Sequence, residues 1–156
     1  MAAETKTSLN EATIDKLQEL IRINIDSENG FLDAAHQVED SNISAVFTEL
    51  SAQRSQNAIQ LQDFVQWNGE KPLDEGSYAA AMHRSWMDLR ALLGGGEAHS
   101  ILSEAERGED QIKAAYEGAL KETAGSAMND VLTRQYAGIK AGHDRIRALR
   151  DHYAAE

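Results

Sequence analysis

Glu28, Gln53, Glu109 and His143 each interrupt an apolar stripe at helical spacing in this 156-residue chain. Ile21 and Ile25 precede Glu28, and Phe31, Ala35 and Val38 follow it, at intervals of three and four. A carboxylate on an apolar helix face is costly unless it is paired, hydrogen-bonded or bound to metal. Carboxylates with imidazole suit iron or manganese. Helical di-iron centres take one Glu from each of two helices and a Glu-x-x-His from each of the other two. Glu28 and Glu109 fit the single-carboxylate positions, and His143 fits one imidazole position. The remaining ligands are missing: one segment reads Gln53-Arg54-Ser55-Gln56 and the other Lys140-Ala141-Gly142-His143. Neutral amides and a lysine remove the negative charge that two divalent cations require. The favoured expectation is a buried polar layer with no cofactor. In it Gln53, Asn57 and Lys140 join the two glutamates and the histidine, and Lys140, Arg54 or His143 supplies the positive charge. The other reading is iron or another divalent metal held by Glu28, Glu109 and His143.

Four long amphipathic segments must bring these residues together. The first is capped by Ser8 or Asn10 and runs to about Glu39, with Ile14, Leu17, Ile21 and Ile25 in its stripe. Ser41 or Asn42 caps the second, which ends near Trp67. After the break "NGEKPLDEG", Ser77 opens a shorter helix carrying Tyr78, Met82, Trp86 and Leu89, and Gly94 to Gly96 stop it. The next helix spans about Glu97 to Lys121, and Ser126 caps the last, which carries Met128 to Tyr153. Glu28 and Gln53 lie about equally far from the turn near Asp40, as Glu109 and His143 do from the turn near Gly125. In antiparallel hairpins that puts each pair at one depth. Two tight hairpins joined by a long crossover describe an all-α, ferritin-like antiparallel four-helix bundle, with a short extra helix between helices two and three. Residues 1–7 are expected to form a disordered tail and residues 8–156 a single domain.

Hydrophobic residues make up 42% of the chain and charged residues 26%, as in a globular protein. A formal net charge of −11 disfavours nucleic acid and anionic membranes. The absence of cysteine excludes disulfides, thiolate catalysis and Cys-ligated zinc. No apolar run approaches the roughly 18 residues of a membrane span, and the polar start lacks a secretory pattern. A cytoplasmic location is therefore expected. Tyr78, Met82 and Trp86 are read as a packing face, although His83, Arg84 and Trp86 could also serve recognition. Arg145, Arg147 and Arg150 near the last helix's C-terminus complement its dipole. No nucleophile–base–acid triad is legible, so catalysis is not expected.

The blocks "DSENGFLDAA", "FTELSAQRSQ", "MHRSWMDLR", "ERGED" and "RQYAGIKAGHDRIRALRD" resemble an uncharacterised bacterial family of ferritin-like four-helix-bundle proteins, a domain of unknown function. The resemblance covers about Ser8 to Tyr153. It implies the ferritin-like bundle, a distant relation to rubrerythrin-type proteins and, from the wider superfamily, a part in stress physiology. Against the rubrerythrin-type motifs, Glu28, Glu109 and His143 stand in place. The expected function is that of a non-enzymatic bundle with a degenerate di-iron site, acting through a protein partner or self-association. A metal-binding protein or a di-iron oxidoreductase is the alternative.

Overall fold

Asp40 turns the chain sharply: its carboxylate accepts from the backbone N–H groups of Asn42 and Ile43, starting the second helix. The cap is thus Asp40, where Ser41 or Asn42 was expected, because a carboxylate also complements the helix dipole. The computed structural model describes residues 4–76, 80–93 and 97–154, the side chains of 80–85 excepted. Among the described residues there are five helices: α1 (Glu11–Gln37), α2 (Ser41–Trp67), α3 (Ala80–Leu93), α4 (Ala98–Glu122) and α5 (Asn129–Ala154). The fold is all-α, with an isolated Thr5–Ser8 bridge as the β pairing among these residues. No helix among them is long and apolar enough to cross a membrane. Ser77, Tyr78 and Gly94 to Gly96 lie outside the described residues, as do the side chains of Met82, His83 and Arg84.

The short turns after α1 and α4 make α1–α2 and α4–α5 close neighbours. The two pairs meet where α1 touches α4 and α2 touches α5, and α3 packs on α1 and α4. Buried apolar residues gather in two groups. One holds Phe31, Phe47, Leu102 and Ile146 together with Leu89 and Leu93 of α3. The other holds Leu17, Leu61, Tyr116, Leu132 and Ile139. Along α1, α2 and α4 the polar residues Asn24, Ser27, Arg54 and Glu109 fall between members of the two groups, all of them buried. A polar stratum therefore divides the core across its length.

Residues 1–3 of the expected disordered tail lie outside the described residues, and residues 4–7 are tied to the helices. Glu4 accepts from the Asn10 N–H with one carboxylate oxygen and from the Ser126 hydroxyl and Ala127 N–H with the other. Asn68 accepts from the Leu9 N–H and donates to the Lys6 carbonyl. These bonds satisfy backbone N–H groups just ahead of α1 and α5 and tie the segment to Asn68 at the end of α2, which holds it down.

Trp86 explains why a glycine sits in the middle of α1. A Cβ built on Gly30 would land on Cδ2, Cε2 and Cε3 of the indole, so the ring lies flat against bare backbone there. The same ring stands edge-on to Phe31, with centroids 5.1 Å apart. Trp86 and Leu89 thus belong to the packing face of α3, as their spacing predicts.

Candidate functional site

At the centre of the polar stratum, Arg54 of α2 meets Glu109 of α4, with Nη2 2.5 Å from Oε2. Arg54 is fully buried and Glu109 is 1% exposed. The helix phase forces this: Leu50, Ala58, Leu61 and Val65 turn α2's apolar face inward, and Arg54 shares that face. Arg54 also donates through Nη1 to Gln53 Oε1 at 2.9 Å, and its guanidinium lies 5.9 Å from the Phe31 ring centroid. Arg54 Nε and Glu109 Oε1 are buried and have no hydrogen-bond partner among the described residues. Burial pushes the Glu109 carboxyl above its ordinary value, against the pull of Arg54. Desolvation therefore outweighs the ion pair's attraction here. Gly142 of α5 covers the pair: a Cβ there would stand 2.7 Å from Leu50 Cδ2 and 3.4 Å from both Arg54 Nη2 and Glu109 Oε2.

A separate, neutral hydrogen-bond chain lies within reach of the Arg54 charge. Asn24 Nδ2 donates to the Leu20 carbonyl and to the Tyr116 hydroxyl, each at 2.8 Å. Tyr116 donates to Gln135 Oε1 at 2.7 Å, and Gln135 Nε2 donates to Gln60 Oε1 at 2.8 Å. Asn57 closes the chain by donating to Asn24 Oδ1. All four long helices contribute, so the network fixes their relative register. Burial pushes the Tyr116 phenol far above its ordinary 10.0, against the Asn24 hydrogen bond and the Arg54 charge. A phenol raised in the fold stabilises fully below the unfolded value and loses that contribution as pH climbs above it. Tyr116→Phe should cost about 1–3 kcal/mol at neutral pH by stranding buried amide groups. It should also flatten the loss of stability between about pH 9 and pH 11, read from urea midpoints at both values. An unchanged neutral midpoint would remove Tyr116 from the network.

His143 sits at the edge of the stratum, 1% exposed. Its Nε2 lies 2.7 Å from Asp110 Oδ1 and 3.7 Å from Glu106 Oε1, and its Nδ1 lies 3.4 Å from Asp144 Oδ1. A carboxylate only accepts, so Nε2 carries the hydrogen on the Asp110 side. Glu106 is in turn held by Arg147 and Arg150. These arginines do more than complement a helix dipole, since they neutralise a nearly buried carboxylate on α4.

The residues expected to share one layer separate in the structure. Glu109 and His143 are buried. Glu28 is only half-buried and lines a shallow cavity with Ile25, Ser55, Ile59 and Asp74. Its neighbour Ser27, one step of about 100° round the helix, takes the inward position instead. Gln53 and Asn57 join the stratum from its half-buried margin, Gln53 donating to the Gly138 carbonyl at 3.2 Å. Lys140 is exposed and forms no part of it, because Ile139 and His143 set the inward face of α5. Of the three candidate counter-charges, Arg54 is the one that pairs with Glu109.

Glu28, Glu109 and His143 are not gathered into one donor set. Glu109 has one oxygen engaged by a guanidinium, a permanent cation that repels a second positive charge. Glu28 is turned out of the stratum, and His143 Nε2 is spent on Asp110. Among the described residues, no group of three or more His, Cys, Asp or Glu side chains is disposed to hold a metal ion.

A family model described as a domain of unknown function (DUF2383) matches residues 12–122. The match runs from α1 to the end of α4 and leaves out α5, with Gln135 and His143. No curated protein matches the chain.

Proposed function

The chain belongs to the DUF2383 family, a domain of unknown function, and from that premise we propose a metal-independent, non-enzymatic helical protein. On this reading it is a ferritin-like four-helix bundle, with α3 as an extra helix in the crossover, and it acts by associating with protein. One observation carries the proposal: Arg54 puts a fully buried cation against Glu109, where a di-iron bundle would place metal. The ion pair does the charge balancing that metal would otherwise do. Exposed Ile59 and Trp67, which line one groove, support association, since large apolar side chains at a surface mark contact sites when they cluster.

Elemental analysis tests the reading. Protein purified after growth with added iron, manganese and zinc should carry well below one equivalent of each. Addition of Fe(II) or Mn(II) should leave the thermal midpoint unchanged, because a ligand bound only by the folded state would raise it. Two metals per chain, lost in Glu28→Ala or Glu109→Ala, would overturn the proposal.

A further inference from the structure

Charge is distributed unevenly over the four long helices. α1, α4 and α5 carry charged residues along their exposed faces, while α2 is almost free of them over 27 residues. Its charged residues are Glu49, Arg54 and Asp63. Arg54 is buried and Glu49 is paired with Arg145, which leaves Asp63 as the carboxylate standing on this face. The outward residues are otherwise small, neutral or apolar: Ala45, Thr48, Ala52, Gln56, Ile59 and Trp67. Ile59 is 55% and Trp67 58% exposed, and Trp67 stands edge-on to Phe64 with ring centroids 5.0 Å apart. A groove of about 530 Å³ runs past Gln56, Ile59, Asp63, Phe64 and Trp67.

We propose that this face of α2 is the seat of a second copy of the same chain, joined through a two-fold axis. The inference deepens the association reading above and rests on it. Electrostatics favours this face over the others. Two copies with a formal charge of −11 each repel one another over most of their surfaces, and least along the neutral face. Depletion of charge together with an exposed tryptophan is the composition of an interface core. A two-fold contact is self-complementary, so every residue must find its partner on the same strip. An antiparallel crossing near Gln56 meets that demand: Trp67 of each copy comes to lie over Ala45 of the partner subunit, large on small. Asp63 then comes beside the Glu49–Arg145 pair of the partner subunit, where the guanidinium can answer its charge.

The test uses the full chain. Sedimentation equilibrium should give the mass of two chains, and association should tighten with salt as the acidic repulsion is screened. Ile59→Glu combined with Trp67→Glu should weaken it by roughly thirty-fold or more while the circular dichroism stays unchanged. The lack of native cysteine gives a second measurement. Gln56→Cys, at the axis, should cross-link to a dimer on mild oxidation, whereas Ala114→Cys on exposed α4 should not. A monomer at every concentration and salt would overturn the proposal. A dimer that survives the double substitution and fails to cross-link at Gln56 would also overturn it, while leaving the association reading standing. Metal content in the same preparation reports separately on the ion-pair reading.

Discussion

Glu109→Ala should lose about 3–5 kcal/mol of folding stability, the largest effect of any single substitution in the polar stratum. The loss comes from what the change leaves behind. Arg54 cannot shed its proton, and with Glu109 gone its fully buried guanidinium faces Leu50, Phe31 and Gly142 with little to answer its charge. The double variant Arg54→Met with Glu109→Leu should lose far less, within about 1–2 kcal/mol of the parent in either direction. Burial already holds the Glu109 carboxyl above its ordinary value, the mark of a pair whose desolvation is not fully repaid by attraction. Urea unfolding of the parent, both singles and the double gives the coupling directly. Additive losses in the double variant would mean that the two side chains stabilise the fold independently, against the geometry described.

Gly30→Ala should also destabilise the fold, by about 1–3 kcal/mol, although alanine is the better helix former. Its Cβ must occupy space held by the Trp86 ring, so helix propensity and packing oppose each other, and packing prevails. The damage should be local to α3, whose Leu89 and Leu93 share a buried cluster with Phe31. A Trp67→Phe background isolates Trp86 emission, which should shift to the red in Gly30→Ala as the indole gains water. Unchanged emission and an unchanged urea midpoint would show that the ring can slide aside at little cost.

The helices were legible because their apolar residues recur at intervals of three and four, and the turn residues between them are equally plain. Phase was harder. Ile14, Ile25 and Val38 suggest a stripe that runs through Glu28, yet these three are only partly buried. Leu20, Asn24, Ser27 and Ala34 supply the true inward face. A shift of one residue is enough to exchange Glu28 for Ser27. The same difficulty explains Lys140, whose exposure follows from Ile139 and His143 facing inward on either side. Arg54 was recognisable as a counter-charge, since Leu50 and Ala58 stand one helical turn to either side. Tyr116 was not, because an aromatic in a stripe reads as apolar and its hydroxyl gains meaning only from Asn24 and Gln135, distant in sequence. Gly30 was silent for the same reason, its partner being on another helix.

The bonds that Glu4 makes to Ser126 and Ala127 have a kinetic consequence. They join residues separated by most of the chain, so closing them costs loop entropy that the adjacent-helix hairpins avoid. The hairpins need only local contacts, so the N-terminal segment is expected to fasten late, and Glu4→Ala should raise the unfolding rate in a chevron plot more than it lowers the folding rate. Contacts made that late leave the folding rate nearly untouched and act on the rate of unfolding. Glu4 is thus a latch on the lifetime of the folded state more than a guide to reaching it.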